Sequence, residues 1–351
     1  IMVRPGNIAL IGSGETAARG GQAFDLLARH LPVPLHVGVM ETPAGFEINS
    51  AQVAGRVVEY LRKRLQNFQP KIDLIPARRR GPGGTDDWDT LAPLMAANLV
   101  FMGPGSPTYT VRQLKDSLAW EILRARLRMG ASIALASAAT VAVGALALPV
   151  YEIFKVGEDP HWKPGLNLLA DFGLNCVIVP HWNNTEGGSD VDTGRCFIGL
   201  ERFETLRELL PPEMTVVGID EHSGVILDFN AQTCRVTGRD GVHILRGDNE
   251  PLLFCSGETF SMSLIGNCRF PERPEDGIDP RVWDALQAVE ADVLNQSIAA
   301  PVPEEVERLL LERQSARERR DWKESDRLRD AVGNLGWKIT DTPDGQKLDP
   351  A

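Results

Sequence analysis

Short apolar runs alternate with amphipathic stretches through the first half of the chain, and this alternation predicts strands separated by helices. Four such runs, each followed by a loop of glycine, proline or polar residues, cover residues 7–11, 35–40, 71–75 and 98–102. A fifth run leads to Ser137. Strands and helices at this spacing predict an α/β fold whose mostly parallel, doubly wound sheet is covered by helices on both faces. Ligands of such folds bind at the carboxyl ends of the strands.

The stretch from Ala131 to Val150 contains no charged residue, and hydropathy alone would predict a membrane helix there. Its composition argues against this. The stretch is rich in alanine, and Ile133, Leu135 and Ser137 alternate as in a strand before small residues follow as in a packed helix. A buried strand that turns sharply into a helix at one hydroxyl is typical of a nucleophile elbow. The alternative is a buried strand–helix unit whose serine bonds the preceding turn.

Beyond residue 150 the pattern changes to short runs typical of strands. One run, 176–179, ends close to His181, and a helix that carries Arg195 is predicted over 193–210. The short runs between residues 216 and 255 predict an antiparallel extension of the same domain.

A second change of character comes after residue 270. Residues 271–280, rich in Pro, Glu and Asp, predict a linker that leads into a helix. Charged helices over 304–320 and 322–335 are followed by a hairpin around Pro343-Asp344-Gly345. The predicted parts are an α/β domain over 1–270, a linker and helix over 271–302, and a small helical-hairpin appendage over 303–351.

Composition narrows the classes of function. The chain has 351 residues, 43% of them hydrophobic, and a formal net charge of −11. A chain of this size buries a large core, and its acidity argues against a surface that binds nucleic acid by counterion release. Five cysteines without a C-x-x-C pair favour reduced thiols in a cytoplasmic protein.

Cofactor motifs are weak in this sequence. The loop Gly12-Ser13-Gly14 lacks the third glycine of a dinucleotide-binding fingerprint, and no P-loop pattern occurs. We therefore expect no nucleotide cofactor, and the cysteine spacing predicts no metal site. The first residues lack the pattern of a signal peptide.

A serine nucleophile needs a base, usually a histidine held by a carboxylate, because an unassisted hydroxyl reacts poorly near neutral pH. Of the six histidines, His181 has the most suitable position, at a strand end among small polar residues. Glu221, where one strand turns into the next, is the candidate acid, and Glu152 is the alternative. Without a family resemblance, a solvated surface position is the favoured interpretation for each carboxylate.

Five blocks of sequence occur in a characteristic order: G-P-G-S-P-T-Y-T-V-R-Q-L at 103–114, the strand–Ser137–helix unit, W-K-P-G-L at 162–166, P-H-W-N-N at 180–184 and V-G-I-D-E at 217–221. Together they resemble the S51 peptidase family, which contains aspartyl dipeptidase (dipeptidase E) and cyanophycinase. The resemblance covers about residues 7–256 and implies a fold like that of class I glutamine amidotransferases. Members of the family cleave peptide or isopeptide bonds beside aspartate.

The resemblance also implies roles. Ser137 is the implied nucleophile, His181 the base and Glu221 the acid. The residues implied to bind the oxyanion or the substrate are Gly103, Gly105, Ala138, Asn183 and Arg195; the arginines at 78–80 are further candidates for a substrate carboxylate. We predict a serine hydrolase, a peptidase or amidase, that cleaves a small peptide or amide bond through an acyl-enzyme, with a preference for an acidic neighbour as the family implies.

The chain departs from the family pattern at the elbow. The family has G-x-S-A-G, whereas this chain has Leu135-Ala136-Ser137-Ala138-Ala139, and flanking glycines let strand and helix approach closely. Pro104 also removes a backbone N–H from the glycine-rich block. The alternative prediction is therefore a catalytically degenerate binding protein on the same scaffold. Amidotransfer is disfavoured because such enzymes use cysteine at this position.

The C-terminal segment resembles another family. Residues 307–348 are similar to the extreme C-terminal region of cysteinyl-tRNA synthetases, which helps to contact the tRNA anticodon. The synthetase's ATP-binding motif and zinc-ligand cysteines are absent from the sequence, so aminoacylation is excluded. Arg313, Arg317 and Arg320 fall on neighbouring turns, facing either phosphates or acidic side chains of the same helices. The partners considered are a small peptide or amide, tRNA or a protein at 303–351, and a second copy in a homo-oligomer; no membrane is expected.

Overall fold

The structure is a computed structural model, and it describes residues 4–247, 249–299, 303–342 and 345–350. Contacts divide the chain into two compact units, Ile1–Leu286 and Gln287–Ala351. The predicted borders near residues 270 and 302 stay a prediction.

Strands and helices alternate through the first unit as the apolar pattern predicts. In chain order the strands are β1 (Ile8–Ile11), β2 (His36–Met40), β3 (Lys71–Ile75), β4 (Leu99–Met102), β5 (Ser132–Ala136), β6 (Leu146–Ala147), β7 (Lys163–Pro164), β8 (Cys176–Val179), β9 (Thr215–Ile219), β10 (Ser223–Asp228), β11 (Thr233–Gly238), β12 (Gly241–Arg246), β13 (Leu252–Cys255), β14 (Thr259–Ser261), β15 (Trp337–Thr342) and β16 (Gly345–Pro350). The α-helices are α1 (Gln22–Ala28), α2 (Ser50–Arg64), α3 (Trp88–Ala96), α4 (Pro107–Leu114), α5 (Leu118–Arg128), α6 (Ala138–Ala142), α7 (Leu200–Glu208), α8 (Pro280–Ala299), α9 (Glu304–Glu318) and α10 (Trp322–Asn334). A π-helix covers Glu152–Val156.

The large sheet of the first unit has the spatial order β14-β11-β10-β1-β5-β4-β2-β3. The part from β1 to β3 is parallel, whereas β10, β11 and β14 pair antiparallel. This arrangement confirms a mostly parallel sheet with an antiparallel extension. A second sheet, ordered β13-β12-β9-β8, includes the strand that precedes His181.

Both faces of the large sheet are covered, because alternate residues of each strand point to opposite sides. In β1, Leu10 joins a core that includes side chains of α3 and α5, whereas Ile11 joins a core formed with α1 and α2. Within this layering β5 lies between β1 and β4, near the middle of the sheet. The residue that follows β5 is therefore held by a strand that is paired on both sides.

The uncharged stretch from Ala131 to Val150 forms β5, the short helix α6 and β6. Its side chains belong to the protein core, and Leu135 is completely buried. Among the described residues, no helix is both long and apolar enough to cross a membrane.

The helix predicted over 193–210 is wrong in its first half. α7 begins only at Leu200, and Arg195, Cys196 and Phe197 have φ values of 56°, 61° and 67°. Three consecutive left-handed residues do not fit a right-handed helix. The Asp192 carboxylate stabilises this turn by accepting hydrogen bonds from the N–H groups of Gly194 and Leu200 at 2.8 and 2.7 Å.

The second unit contains α9, α10 and the hairpin of β15 and β16. Its small core is formed by Val306, Val332 and Ile339, as the predicted helical-hairpin appendage requires. The predicted turn residues Pro343 and Asp344 lie outside the described residues. Arg313 is completely buried and pairs with Asp341, so of the two predicted alternatives its side chain takes contact with an acidic residue and does not face phosphates.

Candidate active site

Ser137 lies at a sharp turn between β5 and α6. Its backbone has φ 52° and ψ −113°, a conformation that costs a non-glycine residue about 1–3 kcal/mol. Two hydrogen bonds to the Ile11 carbonyl oxygen stabilise the turn: the Ser137 N–H and the Thr140 hydroxyl each donate at 3.1 Å. The predicted strand–turn–helix geometry is thus present, with the serine half-buried.

Leu135 and Ala139 occupy the positions where glycine was expected, yet the turn keeps its strained conformation. Both side chains are completely buried in the core that also contains Leu10 and Met102. Leucine at position 135 is therefore accommodated by the core and does not relax the backbone of Ser137.

His181 and Glu221 form a hydrogen-bonded chain with Ser137. The Ser137 Oγ and the His181 Nε2 are 2.9 Å apart, and the His181 Nδ1 and the Glu221 Oε1 are 3.0 Å apart. An ionised carboxylate only accepts hydrogen bonds, so Glu221 keeps the proton on Nδ1 and leaves Nε2 as an acceptor. The serine hydroxyl then donates to Nε2, which is the arrangement that activates a nucleophile.

Glu221 is held by two neighbouring asparagines. The Asn184 side-chain amide donates to the Glu221 Oε1 at 2.8 Å, and the Glu221 N–H donates to the Asn183 Oδ1 at 2.8 Å. The hydrogen bond from His181 holds the pKa of the Glu221 carboxyl below its usual value, and the bond from Asn184 acts in the same direction. Glu221 is therefore ionised near neutral pH.

A cavity of about 470 Å³ opens beside the Ser137 hydroxyl. Gly105, Ala138 and His181 are among its lining residues. Ala138 is the first residue of α6, where backbone N–H groups have no acceptor within the helix. Gly105 has φ 153°, and a Cβ there would lie 1.9 Å from the Pro43 carbonyl oxygen, so only glycine fits.

Cys196 is the alternative nucleophile in the cavity wall. The thiol is buried, and burial raises its pKa to about 12. A protonated thiol is a weak nucleophile near neutral pH. The buried thiol is therefore a weaker candidate nucleophile than the Ser137 hydroxyl, which is hydrogen-bonded to His181.

Three residues predicted for the site have other surroundings. Gly103 lines a separate small cavity next to Glu41 and Pro43. Arg195 lies over the Trp182 ring, with its guanidinium carbon 4.1 Å from the ring centre, and donates to the Trp182 carbonyl oxygen at 3.0 Å. Glu152 pairs with Lys163 at 3.4 Å, whereas Glu221 contacts His181.

The arginines at 78–80 are also partly engaged elsewhere. The Arg78 Nε donates to the Glu41 carboxylate at 2.7 Å, and the Arg80 Nε to the Asp86 carboxylate at 2.7 Å. These ion pairs hold the loop after β3 in place, and they give no indication that Arg78 or Arg80 binds a substrate carboxylate.

Sequence reasoning missed two features of the site. Asn184 belongs to a resembling block but carries no predicted role, although its position three residues after the candidate base is a usable signal. The second feature is a stack of Arg195, Trp182 and His243, in which the His243 ring lies 5.3 Å from the Trp182 ring. The His243 Nε2 contacts the Asp220 Oδ1 at 3.1 Å. Trp182 follows His181 in the chain, and Asp220 precedes Glu221. These contacts therefore link the segment that carries His181 to the segment that carries Glu221.

One comparison with known proteins matches the C-terminal part of the chain. Residues 300–347 match the family described as the cysteinyl-tRNA ligase anticodon binding domain. Cysteine–tRNA ligase 1 of Burkholderia lata is 49% identical over 51 residues, which are 14% of this chain and 11% of that protein. Cysteine–tRNA ligase of Methanosarcina mazei is 47% identical over 47 residues, 13% of this chain and 10% of that protein. The chain thus spans about a tenth of the length of these curated relatives.

The fold has a relative among solved structures. The crystal structure of a peptidase from an acI-B1 Actinobacterium superposes with a TM-score of 0.60 and 18% sequence identity, covering 74% of this chain and 98% of that one. The chain therefore shares the α/β fold of that peptidase over 74% of its length. Both resemblances found in the sequence, to a peptidase fold and to the C-terminal segment of cysteinyl-tRNA synthetases, are confirmed.

Proposed function

We propose that this protein is a serine hydrolase of the peptidase E kind, which cleaves a small peptide or amide bond through an acyl-enzyme. The observation that carries the proposal is the hydrogen-bonded chain Ser137–His181–Glu221, which begins on a strained turn at the edge of an open cavity. Nucleophile, base and orienting acid in this order are the parts that acyl transfer needs.

In the first half of the reaction, the Ser137 oxygen attacks the substrate carbonyl carbon while its proton passes to the His181 Nε2. The Gly105 and Ala138 N–H groups are the proposed donors to the carbonyl oxygen as it becomes an oxyanion. His181 then gives its proton to the leaving amine, and the C–N bond breaks. In the second half, water loses a proton to His181 and attacks the acyl-enzyme, and the protonated His181 returns the proton to Ser137.

The direct test combines a fluorophosphonate probe with peptide turnover. We expect the probe to label the wild-type protein at Ser137, mass spectrometry to place the label on the peptide that contains residue 137, and Ser137→Ala to abolish both labelling and hydrolysis. Absence of labelling together with absence of turnover over a broad dipeptide panel would leave the alternative, a binding protein on the same scaffold.

The two candidate acids are separated by a matched pair of variants. Glu221→Gln removes the acceptor that keeps the proton on the His181 Nδ1, and we expect kcat to fall by about 10⁴-fold. Glu152→Gln changes a carboxylate that pairs with Lys163, and we expect kcat to stay within about twofold, since a partly exposed ion pair contributes little. The measurement is steady-state kinetics at neutral pH, and the reverse ranking would assign the acid to Glu152.

We further propose that the second unit binds tRNA, on the strength of the family match over residues 300–347. Arg313, Arg317 and Arg329 are engaged with Asp341, whereas Arg319 and Arg320 are exposed and suit contact with phosphates. A gel shift with tRNA that weakens with salt and disappears on deleting residues 301–351 supports this role. Unchanged binding by the truncated chain contradicts it.

A further inference from the structure

The cavity beside Ser137 has a predominantly apolar wall. The lining side chains that share this character are Val141, Val150, Phe154, Val191 and Phe197. Val141 and Val150 are fixed within the core, and the rings of Phe154 and Phe197 lie 5.9 Å apart. A wall of this composition favours an apolar group, since burying such a group gains about 25 cal/mol for each Å² removed from water.

Few charges face this cavity among the described residues. Its charged lining residues are Lys155 and Glu186, which have opposite signs and are both exposed. The Lys155 Nζ lies 4.6 Å from the centre of the Phe154 ring, so it contacts an aromatic side chain of the cavity wall. An acidic group in the cavity would give up its hydration and meet no buried cation among the described lining residues.

Arg195 is the cation that the resemblance implies for an acidic substrate, but it is not among the lining residues of this cavity. Its guanidinium stacks on Trp182 and donates to the Trp182 carbonyl oxygen. Burial lowers the pKa of this guanidinium, which agrees with its half-buried position against the Trp182 ring. Recognition of an aspartate side chain by Arg195 would require this stack to be broken.

The apolar wall lies next to one of the proposed oxyanion donors. Ala138 and Val141 are three residues apart on α6, and residues at this spacing lie on the same face of a helix. Both residues line the cavity, so a carbonyl oxygen held by the Ala138 N–H lies in the same cavity as the apolar side chain of Val141. The volume of about 470 Å³ is within the range of small-molecule sites.

We propose that this cavity is the specificity pocket and that it takes an apolar side chain, of leucine to phenylalanine size, on the acyl side of the bond that is cleaved. The substrate class is therefore peptides or amides with an apolar residue at that position, in place of the aspartate that the resemblance implies. This inference rests on the proposed function of Ser137.

The first experiment compares kcat/KM for the p-nitroanilides of leucine, phenylalanine, alanine and aspartate. We expect leucine and phenylalanine to exceed aspartate by at least about tenfold, since one hydrophobic contact discriminates by about 10–200-fold. A higher kcat/KM for aspartate overturns the inference while leaving the hydrolase intact. Loss of that aspartate preference in Lys155→Met would then assign acid recognition to Lys155.

A pair of variants tests the pocket itself. Phe154→Ala removes part of the apolar wall, and we expect kcat/KM for phenylalanine to fall about tenfold while that for alanine changes little. Val156→Ala, two residues further along the same segment and 72% exposed, is the control and should leave both values unchanged. Equal effects on both substrates in Phe154→Ala would contradict a specificity role.

Binding to the Ser137→Ala protein separates this inference from the proposed function. The dissociation constants of Leu-Gly, Phe-Gly and Asp-Gly are measured by calorimetry, where no turnover occurs. Tighter binding of Leu-Gly and Phe-Gly supports the pocket even if the wild-type protein resists the fluorophosphonate probe, in which case only the hydrolase fails. Equal or tighter binding of Asp-Gly overturns the pocket, whatever the probe shows.

Discussion

His181→Ala removes catalysis almost completely, with an expected fall in kcat on the order of 10⁶-fold. The reason is that Ser137 loses the acceptor for its proton, which lies 2.9 Å from its oxygen, and an unassisted hydroxyl is a poor nucleophile. Labelling by the fluorophosphonate probe should disappear with it, although Ser137 itself remains. The measurement is kcat together with the labelled fraction after a fixed time.

The control for this variant is His161→Ala. His161 is half-exposed and contacts Glu158 and the Asp159 carbonyl oxygen, so its loss should leave kcat and labelling within about twofold. Thermal unfolding of both variants checks that the fold persists. Full activity in a folded His181→Ala protein would show that another group acts as the base, and the proposed mechanism would be wrong.

Asp341→Asn destabilises the second unit by about 3 kcal/mol. Arg313 is completely buried and donates to both Asp341 carboxylate oxygens, at 2.9 and 3.0 Å, so loss of the negative charge leaves a buried guanidinium unpaired. The value is placed at the lower end of the usual range because Asp341 remains 29% exposed. Hydrogen exchange of the full-length chain should show protection in residues 304–342 falling by about a hundredfold.

The control is Asp326→Asn. Asp326 is 70% exposed and pairs with Arg329 at 3.6 Å, so its loss should change protection little. Unchanged protection in Asp341→Asn, measured beside this control, would show that the buried pair does not stabilise the unit.

The same pair gives a pH dependence. The hydrogen bonds from Arg313 lower the pKa of Asp341 to about 2, whereas an unfolded aspartate titrates near about 4. A depressed carboxyl pKa stabilises the folded state fully above the unfolded value, and this contribution is lost as the pH falls from about 4 through about 2. Protection of residues 304–342 should therefore decline in that window.

Local patterns were sufficient for most elements of the fold. The predicted bounds of β3 and β8 agree with the structure, because the length and flanking residues of a short apolar run are local properties. The helix predicted over 193–210 failed in its first half, since the conformation of Arg195, Cys196 and Phe197 is stabilised by contacts outside the segment. The backbone N–H of Cys196 donates to the His181 carbonyl oxygen at 3.1 Å, and the backbone N–H of Arg195 donates to the Trp182 carbonyl oxygen at 2.9 Å.

The sequence by itself determined that strands and helices alternate, that a hydroxyl lies between the fifth strand and a helix, and that the C-terminal segment differs in kind. Only the tertiary structure decided that His181 meets Ser137 across 44 residues and Glu221 across 40, and that Arg195 packs on Trp182. The periodicity of apolar residues reports only on neighbours within a helix or strand. The contacts of Ser137, His181 and Glu221 depend instead on how the two sheets are placed and on which side chains occupy the space between their strand ends.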